Sequence, residues 1–270
     1  MSGKPGLSQA IRKALLTGEA SGKVFAARQV ARDWRLGRLR FDLGEADAAS
    51  MPDRPEWPER LELLPPSQMP KRGKGGSDRG RIALWHALAH IEFVAIDLAL
   101  DVVGRFGGQM GEEFASDFLG VAADEAMHFA LLDRKLASLG SQYGALPAHD
   151  GLWQAARDTA GDVGARLAVV PMVLEARGLD VTPTTRDRVA SSGDSRGAQI
   201  LQRILDDEIR HVALGTKHFS QLAAARGENP PELWRKLVES HFAGAIKPPF
   251  NDSARRSAGL SLEFYGALAS

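Results

Sequence analysis

The chain has 270 residues, 44% of them hydrophobic, and its 34 Lys+Arg are balanced by 34 Asp+Glu. A formal charge of zero argues against broad nonspecific nucleic-acid binding, which needs a basic surface, though not against a local basic patch. The absence of cysteine excludes disulfides, thiolate zinc sites and iron–sulfur clusters, so any metal must be held by carboxylates and imidazoles.

Lys4, Arg12 and Lys13 are accompanied by a short apolar run, Ala14-Leu15-Leu16, too short for a secretory signal core. No stretch has the run of about eighteen apolar residues that a membrane span needs, so a cytoplasmic protein is expected. Leu7 to Leu16 and Ser21 to Leu36 read as two short helices, with Ser21 as N-cap and Gly18 between them. Their polar content predicts that they pack on the outside of a larger core. Pro52, Pro55, Pro58, Pro65, Pro66 and Pro70 then break regular structure, and Lys71-Arg72-Gly73-Lys74-Gly75-Gly76 reads as a solvated basic loop. Residues 37–80 are therefore expected to form a wrapping arm.

Four longer helices follow. The first is predicted from Asp78 to Arg105, with Trp85, Leu88, Ala89, Glu92, Ala95, Ile96 and Ala99 on one stripe. His86 and His90 lie on a neighbouring stripe with Phe93 and Asp97, and Gly104, Gly107 and Gly108 are expected to break the helix. The second spans Gly111 to Leu139, its stripe being Phe118, Val121, Ala122, Glu125, Phe129 and Leu132, with His128 beside it. The third begins near Leu152 and passes through Leu167, Val170, Leu174 and Glu175. Pro171 is expected to kink it, and Gly178 and Pro183 to close it ahead of a polar connection from Thr182 to Gly197. The fourth spans Gly197 to Arg226, with Leu201, Ile204, Leu205, Glu208, His211, Val212 and Gly215 inward. Gly227, Pro230 and Pro231 end it. A tail helix from Glu232 to Ala245 leads to Lys247-Pro248-Pro249-Phe250-Asn251 and short helical pieces. No stretch alternates like a strand. The expected fold is all-α, a four-helix bundle at 78–227, with N-terminal helices and the Pro-rich arm at 1–77 and a C-terminal helical extension at 228–270, in one compact domain.

Each of the four helices sets a Glu in its apolar stripe: Glu92, Glu125, Glu175 and Glu208. A buried carboxylate must be neutralised, paired or metal-bound. Two of them open a repeated string, Asp124-Glu125-Ala126-Met127-His128 and Asp207-Glu208-Ile209-Arg210-His211. Residues three apart share a helix face, so each Glu and His aim at one point. The order is Glu, Glu-x-x-His, Glu, Glu-x-x-His, and 33 residues separate the members of each Glu pair. That is the ligand set of a dinuclear carboxylate bundle. Glu92, Glu125, His128, Glu175, Glu208 and His211 are the expected ligands, and Asp124 and Asp207 are placed to accept the second N–H of the imidazoles on the partner helix. Four carboxylates also neutralise two divalent ions. Glu175 has the alternative of pairing with Arg177 or Arg166.

These strings resemble the ferritin-like di-iron superfamily. The doubled Asp-Glu-x-x-His is similar to that of bacterial multicomponent monooxygenase hydroxylases. His86-Ala87-Leu88-Ala89-His90-Ile91-Glu92 and Leu174 to Pro183 are similar to strings of a bacterial ferritin-like family known only as a domain of unknown function. This resemblance covers about residues 10 to 265. It implies a ferritin-like four-helix bundle and its metal site, but no substrate. The tRNA-hydroxylating di-iron enzymes are a more distant likeness. Lys247-Pro248-Pro249-Phe250-Asn251, with His241, Arg255 and Arg256, also resembles an element of the same family.

The expected cofactors are two Fe ions, with Mn/Fe or Mn/Mn as alternatives and O2 as co-substrate. The expected reaction is hydroxylation or desaturation of an organic substrate, a small molecule or a modified macromolecule. Ferroxidase or iron-handling activity without an organic substrate is the competing class. His86, His90, Arg177 and His218 are candidates for substrate contact or proton relay, although hydrogen-bonded helix histidines are the commoner case. Gly104 to Gly111 follows a helix rather than a strand, which excludes a dinucleotide loop and leaves electrons to a partner protein or the substrate. A homodimer is expected, no membrane partner, and no nucleic acid beyond the distant tRNA case.

Overall fold

The computed structural model describes residues 3–70 and 77–268, and among these it is all-helical. The basic run Lys71 to Gly76 lies outside the described residues. No helix is long and apolar enough to cross a membrane among the described residues. The chain packs as two compact units, Met1–Trp153 and Gln154–Ser270.

The first unit opens with α1 (Leu7–Leu15) and α2 (Ala20–Arg35), which agree with the predicted segments within a residue or two. Ser21 lies inside α2, and Glu19 is the N-cap residue. The two helices are not peripheral. Leu7, Ile11, Ala14 and Leu15 of α1 are fully buried, and α2 packs along the later helix at Glu112–Ser138. Lys23 of α2 is itself buried. Its Nζ donates to the carbonyls of Leu15 at 3.3 Å and Glu56 at 2.8 Å, and to Asp97 Oδ1 at 2.6 Å. Trp57 Nε1 donates to the other Asp97 oxygen at 2.9 Å. An amine on a four-carbon stem reads as surface in a sequence, yet here it ties three chain segments together.

The arm contains α3 (Glu45–Ala49) and a single 3-10 turn at Pro66–Gln68. It packs onto the unit: Leu39, Leu43, Met51 and Leu61 are buried, and Leu64 N–H and Ala148 N–H donate to Ala148 O and Glu62 O at 2.8 and 2.9 Å. Helix α4 (Asp78–Met110) starts on Ser77, whose hydroxyl accepts from Gly80 N–H at 3.1 Å. It outruns its predicted end. Gly104, Gly107 and Gly108 stay helical because the arm crosses the helix there. A Cβ on Gly104 would lie 2.6 Å from Met51 Sδ, one on Gly107 2.5 Å from Leu43 Cδ1, and one on Gly108 1.8 Å from Leu43 O. Termination waits for Gly111 at φ 91°. Helix α5 (Glu112–Ser138) returns against α4, as its stripe predicts.

Helix α6 (Gly151–Asp158) is capped by Arg166, which donates to Ala156 O at 2.5 Å and Thr159 Oγ1 at 2.9 Å. In the second unit, α7 (Val163–Val169) passes into a π-helical segment, Val170–Glu175, and then α8 (Ala176–Ser191). Here the predicted boundaries need correction. Pro171 lies within the π segment, and the chain stays helical through Gly178 and Pro183 to Ser191. Pro183 removes the N–H that would bond Leu179 O. Asn251 Nδ2 supplies a donor to that carbonyl at 3.1 Å. The predicted polar connection therefore shrinks to the few residues before α9 (Ser195–Ala225). Gly215 of α9 lets Pro171 approach, since a Cβ there would be 2.5 Å from Pro171 Cβ.

Helix α10 (Pro230–His241) begins with Pro230 and Pro231 in its first turn, where a missing N–H costs nothing, and Asn229 caps it. Helices α11 (Asp252–Ser257) and α12 (Leu262–Tyr265) complete the unit. The buried Arg255 forks onto Asp180 at 2.8 and 2.7 Å, which ties α11 to α8.

Candidate metal centre

In the first unit the apolar stripe of α4 carries Glu92 inward, and that of α5 carries Glu125 and His128 inward. The three are 5%, 1% and 0% exposed. His128 Nδ1 lies 3.3 Å from Glu92 Oε2 and 3.3 Å from Glu125 Oε2. Each side chain offers one donor atom within 4.8 Å of the others, a spacing that suits a shared cation. Burial, and then the charge of Glu125 beside it, push the Glu92 carboxyl well above the usual carboxylate range. Two such carboxylates need a proton or a cation between them. Oxygen and imidazole donors without sulfur suit iron, manganese or zinc among divalent ions. Phe93 and Phe129, next in sequence to Glu92 and His128, meet at 5.2 Å between ring centroids and are buried.

In the second unit α9 repeats the local geometry. His211 Nδ1 lies 3.5 Å from Glu208 Oε1, and the two residues are 1% and 8% exposed. His128 and His211 thus turn the same ring nitrogen toward the Glu of their own motif. Asp207 is held on α9 by Arg203 Nε at 2.7 Å, with Arg210 at 3.6 Å. Glu175 ends the π segment and is half-buried, less enclosed than its stripe predicts. Asp124 is half-buried on α5. His218 is buried on α9.

The remaining candidates have local work. Arg177 donates to the carbonyls of Lys247 at 2.8 Å and Pro249 at 3.0 Å, so its guanidinium braces the C-terminal loop. His90 Nδ1 meets Tyr143 Oη at 2.8 Å, and His90 Nε2 meets His149 O at 3.1 Å. His86 Nε2 accepts from the Gly144 and Leu146 N–H groups at 2.9 and 3.4 Å. Burial lowers the pKa of both histidines to about 4, so both are neutral near pH 7. Trp85 is core packing, with the Lys135 ammonium 5.4 Å above its ring.

The family model described as a protein of unknown function (DUF455) matches residues 16–266. The chain belongs to the DUF455 family. A chain of Haemophilus influenzae described as an uncharacterized protein is 41% identical over 211 residues, which is 76% of this chain and 73% of that one. No solved structure matches the chain. This agrees with the resemblance to a family of unknown function. The match covers both Glu-x-x-His strings and the arm that wraps α4.

The sequence reading missed Tyr143, His149 and Lys23. The first two lie in a connection with no periodicity to read. Their only signal was their partner: the buried His90 on α4 needs a polar group opposite it.

Proposed function

We propose that this DUF455 chain is a dinuclear metalloprotein built on a ferritin-like four-helix bundle. In this reading Glu92, Glu125, His128, Glu175, Glu208 and His211 hold two iron ions, with manganese as the alternative metal. The observation that carries it is the Glu92–His128–Glu125 cluster. Three potential ligands are buried together, and the motif that supplies two of them recurs on α9 with the same ring nitrogen turned to its Glu. Two Glu-x-x-His motifs and two further Glu residues are the ligand set of a dinuclear carboxylate bundle.

The iron would supply O2-dependent oxidation of an organic substrate. The chain's own residues do the rest. The four Glu carboxylates balance the charge of two divalent ions, and the neutral imidazoles add none. Asp124 and Asp207 each orient the imidazole on the other's helix by taking its remaining N–H, and Arg203 holds Asp207 in turn. Phe93 and Phe129 keep water from the α4–α5 side. The π segment at Val170–Glu175 shifts the helical register just before the least buried ligand, a feature that often accompanies functional sites.

The test is anaerobic loading of the full chain with Fe(II), followed by O2. Binding near two ions per chain, a new absorption on oxidation, and loss of both in Glu125→Ala and in Glu208→Ala support the reading. Uptake near zero, or uptake that survives both substitutions, overturns it. Continuous iron turnover with a growing mineral would assign iron handling instead.

A further inference from the structure

A cavity of about 320 Å³ lies in the first unit between the arm, α4 and the chain around residues 146–152. That volume is at the lower end of small-molecule sites. Its walls are mostly apolar, with Met69, Ala83, Ala87, Ile91, Leu146 and Leu152 among them, and no carboxylate, lysine or arginine lines it among the described residues. Its polar groups are three histidines, His86, His90 and His149.

The hydrogen bonds fix what each imidazole offers. His90 is closed, with Tyr143 Oη and His149 O on its two nitrogens. His86 is different. Its Nε2 accepts two backbone N–H groups and therefore carries no hydrogen. The ring is neutral near pH 7, so its one hydrogen is on Nδ1. The Nδ1–H has no protein partner among the described residues, although the side chain is only 2% exposed and forms part of the cavity wall. An unused donor at such a site favours an occupant that brings an acceptor. His149, at the exposed side, accepts from Gly151 N–H at Nδ1 at 3.2 Å, which leaves its Nε2 as a second donor when neutral. The polar groups are thus donors on a largely apolar wall, with no fixed charge to balance an ion.

We propose that this cavity binds an uncharged, mainly apolar organic molecule that carries a carbonyl-type acceptor oxygen, and that the oxygen takes the Nδ1–H of His86. A carboxylate or phosphate would lack a cationic partner here, and a plain hydrocarbon would leave the donor unused. None of the six proposed metal ligands lines this cavity, and its binding is measured without metal.

The experiment compares 2-acetylnaphthalene with 2-ethylnaphthalene, matched in ring and size but differing in the acceptor, by equilibrium dialysis against the full chain. The ketone should bind at least fivefold more tightly. His86→Met keeps a thioether acceptor for Gly144 and Leu146 but carries no donor, so it should bring the ketone to the level of the hydrocarbon. Ala87→Phe, at a half-buried wall position, should abolish binding of both, with its thermal transition confirming the fold. Equal affinity for the two probes in the native chain, no binding of the ketone, or ketone binding unaltered by either substitution would overturn the proposal.

Discussion

His128 on α5 sets its Nδ1 3.3 Å from the carboxylate of Glu92 on α4, and Glu125 approaches the same nitrogen equally closely. Without a cation, the burial of Glu92 and the like charge of Glu125 beside it oppose stability, because both work against ionising Glu92. Glu125→Gln should therefore stabilise the metal-free chain, by about 1 kcal/mol, while it removes the stabilisation that bound metal gives. Thermal melts with and without chelator check this. The wild type should lose several degrees on chelation, and the variant should not respond.

The Lys23–Asp97 pair makes a second prediction. Both groups are fully buried, and the amine has three acceptors. Lys23→Met leaves the Asp97 carboxylate without its cation and should cost about 3–5 kcal/mol. Lys23→Met combined with Asp97→Leu removes the stranded charge and should recover more than half of that loss. Urea unfolding of the two variants measures the difference. A double variant no more stable than the single one would show that the pair itself, and not the stranded charge, sets the cost.

Acid should weaken the fold through His86. Its pKa falls from 6.5 to about 4 on burial. The unfolded chain therefore binds the proton more readily across that window. The resulting stability is complete above pH 6.5 and is lost as pH falls toward 4, by at most roughly 3 kcal/mol. Asp97 acts with the opposite sign, since burial raises its pKa from 3.8 to about 6, and its contribution fades as pH rises through that range. Unfolding free energies at pH 7 and pH 5 should fall less steeply in His86→Gln than in the wild type. They should fall more steeply in Asp97→Asn.

Asn251 and Pro183 should be thermodynamically coupled. Asn251 Nδ2 bonds the Leu179 carbonyl that Pro183 leaves without its helical donor, while Asn251 Oδ1 caps α11. Asn251→Ala should cost about 1–2 kcal/mol in the native background. In a Pro183→Ala background, where the helix regains its own N–H, the same change should cost about 1 kcal/mol less. Additive losses would mean that the carbonyl is equally well served by water.

The candidate ligands were legible because a Glu interrupting an apolar helical stripe stands out, and a His three residues later stands out further. Glu92, Glu125 and His128 come together on that logic alone. The positions of α4, α5 and α9 followed from the same periodicity to within a few residues, apart from the C-terminal end of α4. What misled was local chemistry answered by distant residues. Pro183 and Gly178 carry strong stop signals, but Asn251 makes one tolerable and the packed helix overrides the other. Lys23 looks solvated until Asp97, Leu15 O and Glu56 O are placed around it. The pocket around His86 depends on a loop with no repeat, so neither His149 nor Met69 could be assigned to it from spacing.

The glycines at 104, 107 and 108 have one more consequence. Where they lie, α4 has no side chains of its own, and Leu43 and Met51 of the arm fill the space that side chains would take. At Gly108 even the smallest addition meets the Leu43 backbone, which cannot swing aside as a side chain can. Helix and arm therefore have to be inherited, transplanted or redesigned as a matched pair. A chimera that takes α4 from one relative and residues 43–51 from another should be accepted only when both sides of the crossing come from the same parent.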